Sequence, residues 1–105
     1  MHPKMGASWK GFAVDQMLRI ARPDEAYFWA THAGAELDLL MLKDGRRVGV
    51  EVKHVDAPRL TPSMRVAMKD LKLEALYVVY PGARRYFLAA GIEAVPLRAI
   101  LPASA

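Results

Sequence analysis

Apolar residues recur along this chain at two spacings, and the changes between them divide it into elements. Trp9, Phe12, Ala13, Met17 and Ile20 fall at intervals of three and four, so they share one face of a helix from Ser8 to about Arg22. Ser8 suits its N-cap, Arg19 and Arg22 suit its C-terminal dipole, and Pro23 stops it. Three strand-like runs follow: Ala26–Thr31, Ala35–Leu42 and Arg47–His54. Asp44-Gly45, between the second and third, is the signature of a tight hairpin turn. Leu60–Leu71 is a second helix, with Thr61 as N-cap, Pro62 at the first helical position, and Met64, Ala67, Met68 and Leu71 on its apolar face. Leu76–Tyr80 is a buried strand stopped by Pro81-Gly82. Tyr86–Leu88 and Ile92–Val95 are short strands, and Leu97–Leu101 is a turn of helix.

This α-β-β-β-α-β order predicts an α/β fold. A three-stranded antiparallel meander is followed by a helical crossover, which returns a strand parallel to a neighbour and makes the sheet mixed. With 105 residues the chain is one domain, 1–105, without internal repeat or linker.

Alternation along the strands brings in the candidate chemistry. Glu51 and Lys53 are two residues apart and point the same way, while Val48, Val50 and Val52 point into a core. On the preceding strand Glu36, Asp38 and Leu40 are expected on one face, with Leu37, Leu39 and Met41 on the other. If the strands pair through the Asp-Gly turn, Asp38 lies near Glu51. Two carboxylates so placed suit a hard divalent cation, magnesium or manganese, which activates a water and stabilises charge on a phosphate. A lysine beside them orients that water or pairs with the phosphate. The plain alternative is a solvated strand face; the apolar run around Asp38 argues against an ordinary wet edge.

Composition removes other classes. The absence of cysteine excludes disulfides and thiolate metal sites. Apolar runs such as Ala75–Tyr80 are too short to cross a bilayer, and the N-terminal MHPKMGASWK lacks a signal-peptide core, so a cytoplasmic protein without membrane contact is expected. The net charge of +4 favours anionic partners without singling one out. Arg84 and Arg85, beside Tyr80 and Tyr86, are candidate nucleic-acid contacts together with Lys10, though a basic solvated surface would look the same. His2, His32 and His54 lack metal-ligand spacing. Trp9, Phe12, Met17, Met64 and Met68 read as core, and Trp29 as core or partner contact.

The spacing D-x12-E-V-K on the second and third strands resembles the PD-(D/E)XK nuclease superfamily, whose core is restriction-endonuclease-like. More narrowly, HPKMGASWKGFAVDQMLR, FWATHAGAELDLLM, GVEVKHVDAPRLTPSMR and LYVVYPGARRY are similar to the C-terminal domain of unknown function of bacterial and archaeal AAA-type ATP-binding proteins. The resemblance implies that Asp38 and Glu51 are the metal-binding acids and Lys53 the catalytic lysine. It also implies an ATPase module as partner, in the same or a companion chain, since this chain has no G-x-x-x-x-G-K-[ST] loop. Two departures stand out. Lys10 occupies a first-helix position where the family has an acid, and no Pro-Asp pair precedes Asp38. The expectation is therefore an accessory domain with a degenerate nuclease-like site, binding nucleic acid or protein. The alternatives are an active magnesium-dependent deoxyribonuclease and a purely structural or homo-oligomerising module.

Overall fold

The structure, a computed structural model, describes residues 5–101. Helix α1 (Met5–Ala21) leads into strands β1 (Glu25–Ala30), β2 (Glu36–Lys43) and β3 (Arg46–Val52); α2 (Pro62–Asp70) then precedes β4 (Ala75–Tyr80), β5 (Tyr86–Ala89), β6 (Ile92–Pro96) and the short α3 (Leu97–Ile100). The strands form one mixed six-stranded sheet in the order β1-β2-β3-β4-β6-β5. β3, β4 and β6 run parallel, and β1, β2 and β5 antiparallel to their neighbours. Among the described residues no helix is long and apolar enough to cross a membrane.

Local chemistry sets the element ends. Arg22 takes a left-handed φ of 48° and donates its N–H to the Leu18 carbonyl, so α1 closes just before Pro23. Asp44 and Gly45 both have positive φ, as a two-residue hairpin turn requires. Thr61 caps α2 through its hydroxyl, which accepts the Met64 N–H at 3.3 Å, and Pro62 follows it. α1 begins three residues before the expected start, so Ser8 lies inside the helix rather than at its cap.

Two apolar layers sandwich the sheet. α1 and α3 cover one face, where Ala13, Met17, Leu39, Met41, Val50, Val52, Val79 and Leu97 meet. α2 covers the other, over Leu37, Met64, Ala67, Leu73, Leu76, Val78 and Ile92. The stripe that α1 buries differs from the expected one. Ala13 and Met17 are buried and Trp9, Val14, Leu18 and Ala21 pack partly, but Phe12 is 48% and Ile20 38% exposed. The buried stripe is set by Trp9, Ala13, Val14, Met17, Leu18 and Ala21, and Phe12 and Ile20 fall to one side of it.

The strand that carries Asp38 also departs from simple alternation. Tyr27 pairs with Leu40 and Trp29 with Leu37, so Phe28 alone stands opposite both Asp38 and Leu39. That extra residue is a β-bulge in β2. It reverses the facing of what precedes it: Leu37 packs in the α2 layer, whereas Leu39 and Met41 pack in the α1 layer. Leu37, Leu39 and Met41 therefore do not share a face.

Gly49 of β3 is the counterpart of this reversal. A Cβ there would stand 2.7 Å from Leu73 Cδ1 and 3.1 Å from Leu37 Cδ2, too close for a settled contact. Gly49→Ala is expected to lower stability by about 1–3 kcal/mol through overpacking, read by urea unfolding. A variant as stable as the wild type would show that Leu37 and Leu73 yield without cost.

Candidate functional site

The backbone ladder between β2 and β3 runs from the hairpin to Leu39 opposite Val50. Past that pair, side chains take over. The Asp38 N–H donates to Glu51 Oε1 at 3.1 Å, and the Val52 N–H donates to Asp38 Oδ2 at 2.8 Å. The bulge frees these backbone groups and the two carboxylates satisfy them, because a buried unpaired N–H costs about 1–3 kcal/mol. Asp38 and Glu51 are thus brought together by the geometry of the strand end.

Two ammonium groups complete the patch. Lys10, from α1, donates to Asp38 Oδ1 at 3.0 Å. Lys53, two residues beyond Glu51 on the same side, stands 3.1 Å from Glu51 Oε2. Each of the four carboxylate oxygens therefore has one donor. Glu51 is only 7% exposed. Burial raises its pKa above the usual 4.5, the Asp38 charge adds to that, and Lys53 opposes both. For Lys10, partial burial works against the charged form, but the hydrogen bond and charge of Asp38, with Glu51 and Glu36 behind, outweigh it and raise its pKa. An ammonium thus sits where three negative charges converge.

The patch lies where β3 ends and Lys53 donates its N–H to the Val79 carbonyl of β4, at the carboxyl ends of the parallel strands. Open α/β sheets commonly bind ligands at such ends. Trp9, next to Lys10, stacks on His54, next to Lys53, with ring centroids 5.0 Å apart. This contact pins the start of α1 over the end of β3. Nothing in the sequence marks it, since the two rings belong to elements far apart in the chain.

The loop after β4 lies at the same end. Tyr80 accepts the Arg84 N–H and donates its hydroxyl to the Arg84 carbonyl, so the loop wraps its buried ring. Gly82 has no room for a side chain there: a Cβ would stand 2.0 Å from the ring. The two arginines separate in role. Arg85 makes a two-pronged pair with Glu93 of β6, both contacts at 3.0 Å, whereas the Arg84 side chain is exposed without an acidic partner among the described residues. Of the three expected nucleic-acid contacts, Lys10 and Arg85 are therefore engaged internally. His32 and His54 are exposed and His2 lies outside the described residues; among those described, no group of three or more His, Asp or Glu forms a metal-holding cluster.

The raised pKa of Glu51 has a defined consequence. The folded state holds this proton more tightly than the unfolded chain. Its contribution to stability is fully present below pH 4.5 and is lost as pH rises through the raised folded value. Thermal unfolding of wild type and Glu51→Gln across acid to neutral pH is expected to show a smaller decline over this window in the variant. Parallel curves would mean that Glu51 titrates as an exposed carboxylate does.

Two mycobacterial proteins align with nearly all of the chain. They are the uncharacterized protein Rv2008c of Mycobacterium tuberculosis (strain ATCC 25618 / H37Rv) and the uncharacterized protein Mb2031c of Mycobacterium bovis (strain ATCC BAA-935 / AF2122/97). Each is 43% identical over 100 residues, which cover 95% of this chain and 23% of the relative. The chain thus spans about a quarter of the length of these relatives. No solved structure matches it. The model of the domain of unknown function DUF4143 matches residues 5–100, and the chain belongs to that family.

Proposed function

We propose that this domain is a restriction-nuclease-like scaffold whose acidic pair is neutralised by lysines instead of a divalent ion, and that it makes contacts rather than cutting. The observation that carries this reading is the Lys10 ammonium, 3.0 Å from Asp38 Oδ1. A divalent ion at Asp38 and Glu51 would meet that positive charge, and each carboxylate oxygen already has a donor. This donor set does not fit magnesium, which wants oxygen ligands and retained waters around it. Lys53 pairs with Glu51 Oε2 instead.

The wider role follows from the sequence resemblance. The domain would serve an AAA-type ATP-binding protein as an accessory, holding nucleic acid or protein for it. Relatives four times the length of the matched region leave room for such a module. The exposed Arg84, at the same end of the sheet as the patch, is the side chain best suited to meet an anionic partner there.

Calorimetric titration of magnesium and manganese into wild type, Lys10→Ala and Asp38→Ala, with a cleavage assay on single- and double-stranded DNA, tests this reading. The wild type is expected to give no binding heat and no metal-dependent cleavage. Removing the Lys10 ammonium is expected to raise metal affinity above that of the wild type, and Asp38→Ala to stay silent. Wild-type binding that vanishes in Asp38→Ala, accompanied by cleavage, would instead make the protein a metal-dependent nuclease.

A further inference from the structure

The outer side of β1 is the least explained surface of the fold. β1 closes one end of the sheet, and its inner side pairs with β2. Among the described residues no strand pairs with its outer side. An open strand edge offers a row of free backbone donors and acceptors to any other strand, and proteins usually guard it with Pro, Lys, a bulge or a covering element. β1 reads EAYFWA, with neither Pro nor Lys. The one bulge nearby belongs to β2, so the outer edge of β1 is unbroken by it.

Both faces at this edge are aromatic. Phe28 is 68% exposed and Tyr27 47%, while Trp29 is partly covered by the α2 layer. Tyr27 stands opposite Leu40, which packs in that same layer, so Tyr27 and Trp29 flank the edge on the α2 side and Phe28 on the α1 side. Large apolar groups gathered on an open edge mark an interaction surface.

The sequence of the edge points to its occupant. Read outward from Phe28 in both directions within β1, Tyr27 mirrors Trp29 and Ala26 mirrors Ala30. If two copies pair antiparallel about an axis through Phe28, aromatic meets aromatic and alanine meets alanine. A two-fold interface requires such self-complementarity. Cross-strand aromatic pairs also contribute stabilisation.

We propose that β1 is a homodimerisation edge, with two copies of this chain joined antiparallel through a two-fold axis at Phe28 into one continuous sheet. This edge does not depend on how the carboxylate patch is read, although Phe28 stands opposite Asp38 across the β1–β2 pair.

The chain has no cysteine, so an engineered thiol reports only its own position. Sedimentation of the wild type is expected to give twice the mass of one chain. Phe28→Cys is expected to convert largely to a disulfide-linked dimer on mild oxidation. Tyr27→Cys alone is expected to remain mostly uncrosslinked, because Tyr27 faces Trp29 across the axis, while a mixture of Tyr27→Cys and Trp29→Cys chains crosslinks. Phe28→Lys, at an exposed position, is expected to keep its circular dichroism and become a monomer. A monomeric wild type would leave the edge to a strand of another protein and overturns the proposal. Equal crosslinking at positions 27 and 28, or a Phe28→Lys variant that still dimerises, overturns it as well.

Discussion

The bulge at Asp38 and Leu39 is the constraint on which most of this structure depends. One extra residue in β2 ends the backbone ladder with β3, turns Leu37 into the α2 layer and leaves two peptide groups needing partners. Asp38 and Glu51 supply those partners with their own carboxylates. The acids are thus part of the strand's hydrogen bonding before they are anything else. The same reversal brings Leu37 over Gly49, where only a residue without a side chain leaves room.

Carboxylates placed there must be neutralised. Glu51 is buried, and a buried charge without a partner costs several kcal/mol. A divalent ion and a pair of ammonium groups are two solutions to the same electrostatic problem. They differ in what they can do next: an ion can carry and activate water, whereas an ammonium fills the place with a fixed donor. Here Lys10 and Lys53 provide the positive charge from opposite sides of the pair, one from α1 and one from the strand end. The Trp9–His54 stack holds α1 in register for that contact. An acidic pair built this way has structural value in its own right, because its carboxylates close the strand end's hydrogen bonds.

The sheet's two halves face different tasks. Its parallel strands end together at the carboxylate patch, beside the loop that wraps Tyr80 and presents Arg84. Its far edge, β1, carries exposed aromatic side chains and an open backbone. The bulge links the two, since the residues opposite Phe28 are the ones that aim Asp38.

Local chemistry made several features legible from the sequence alone. The Asp44-Gly45 turn, the Thr61-Pro62 start of α2 and the element order all follow from short-range backbone preferences, and the Glu51–Lys53 proximity from strand alternation. Nearness of Asp38 to Glu51 followed once the hairpin was assigned, because its register ends on Leu39 opposite Val50 and leaves the next residue of each strand side by side. What only the tertiary structure decided depends on contacts between distant residues. No local pattern announces an inserted residue within β2, so Leu37 faces the side opposite to the one that strict alternation with Leu39 and Met41 predicts. Phe12 has the right periodicity for burial, but α1 is rotated so that Ala13, Val14, Met17 and Leu18 face the sheet and Phe12 does not. Arg85 looks like Arg84 in the sequence, yet Glu93 on a neighbouring strand claims it. Lys10 was legible as a basic residue near the start of α1, but its contact with Asp38 exists only because α1 folds back across the sheet. Periodicity and turn chemistry act within a few residues and survive in the sequence; partner choice, facing and charge pairing are settled by which surfaces meet.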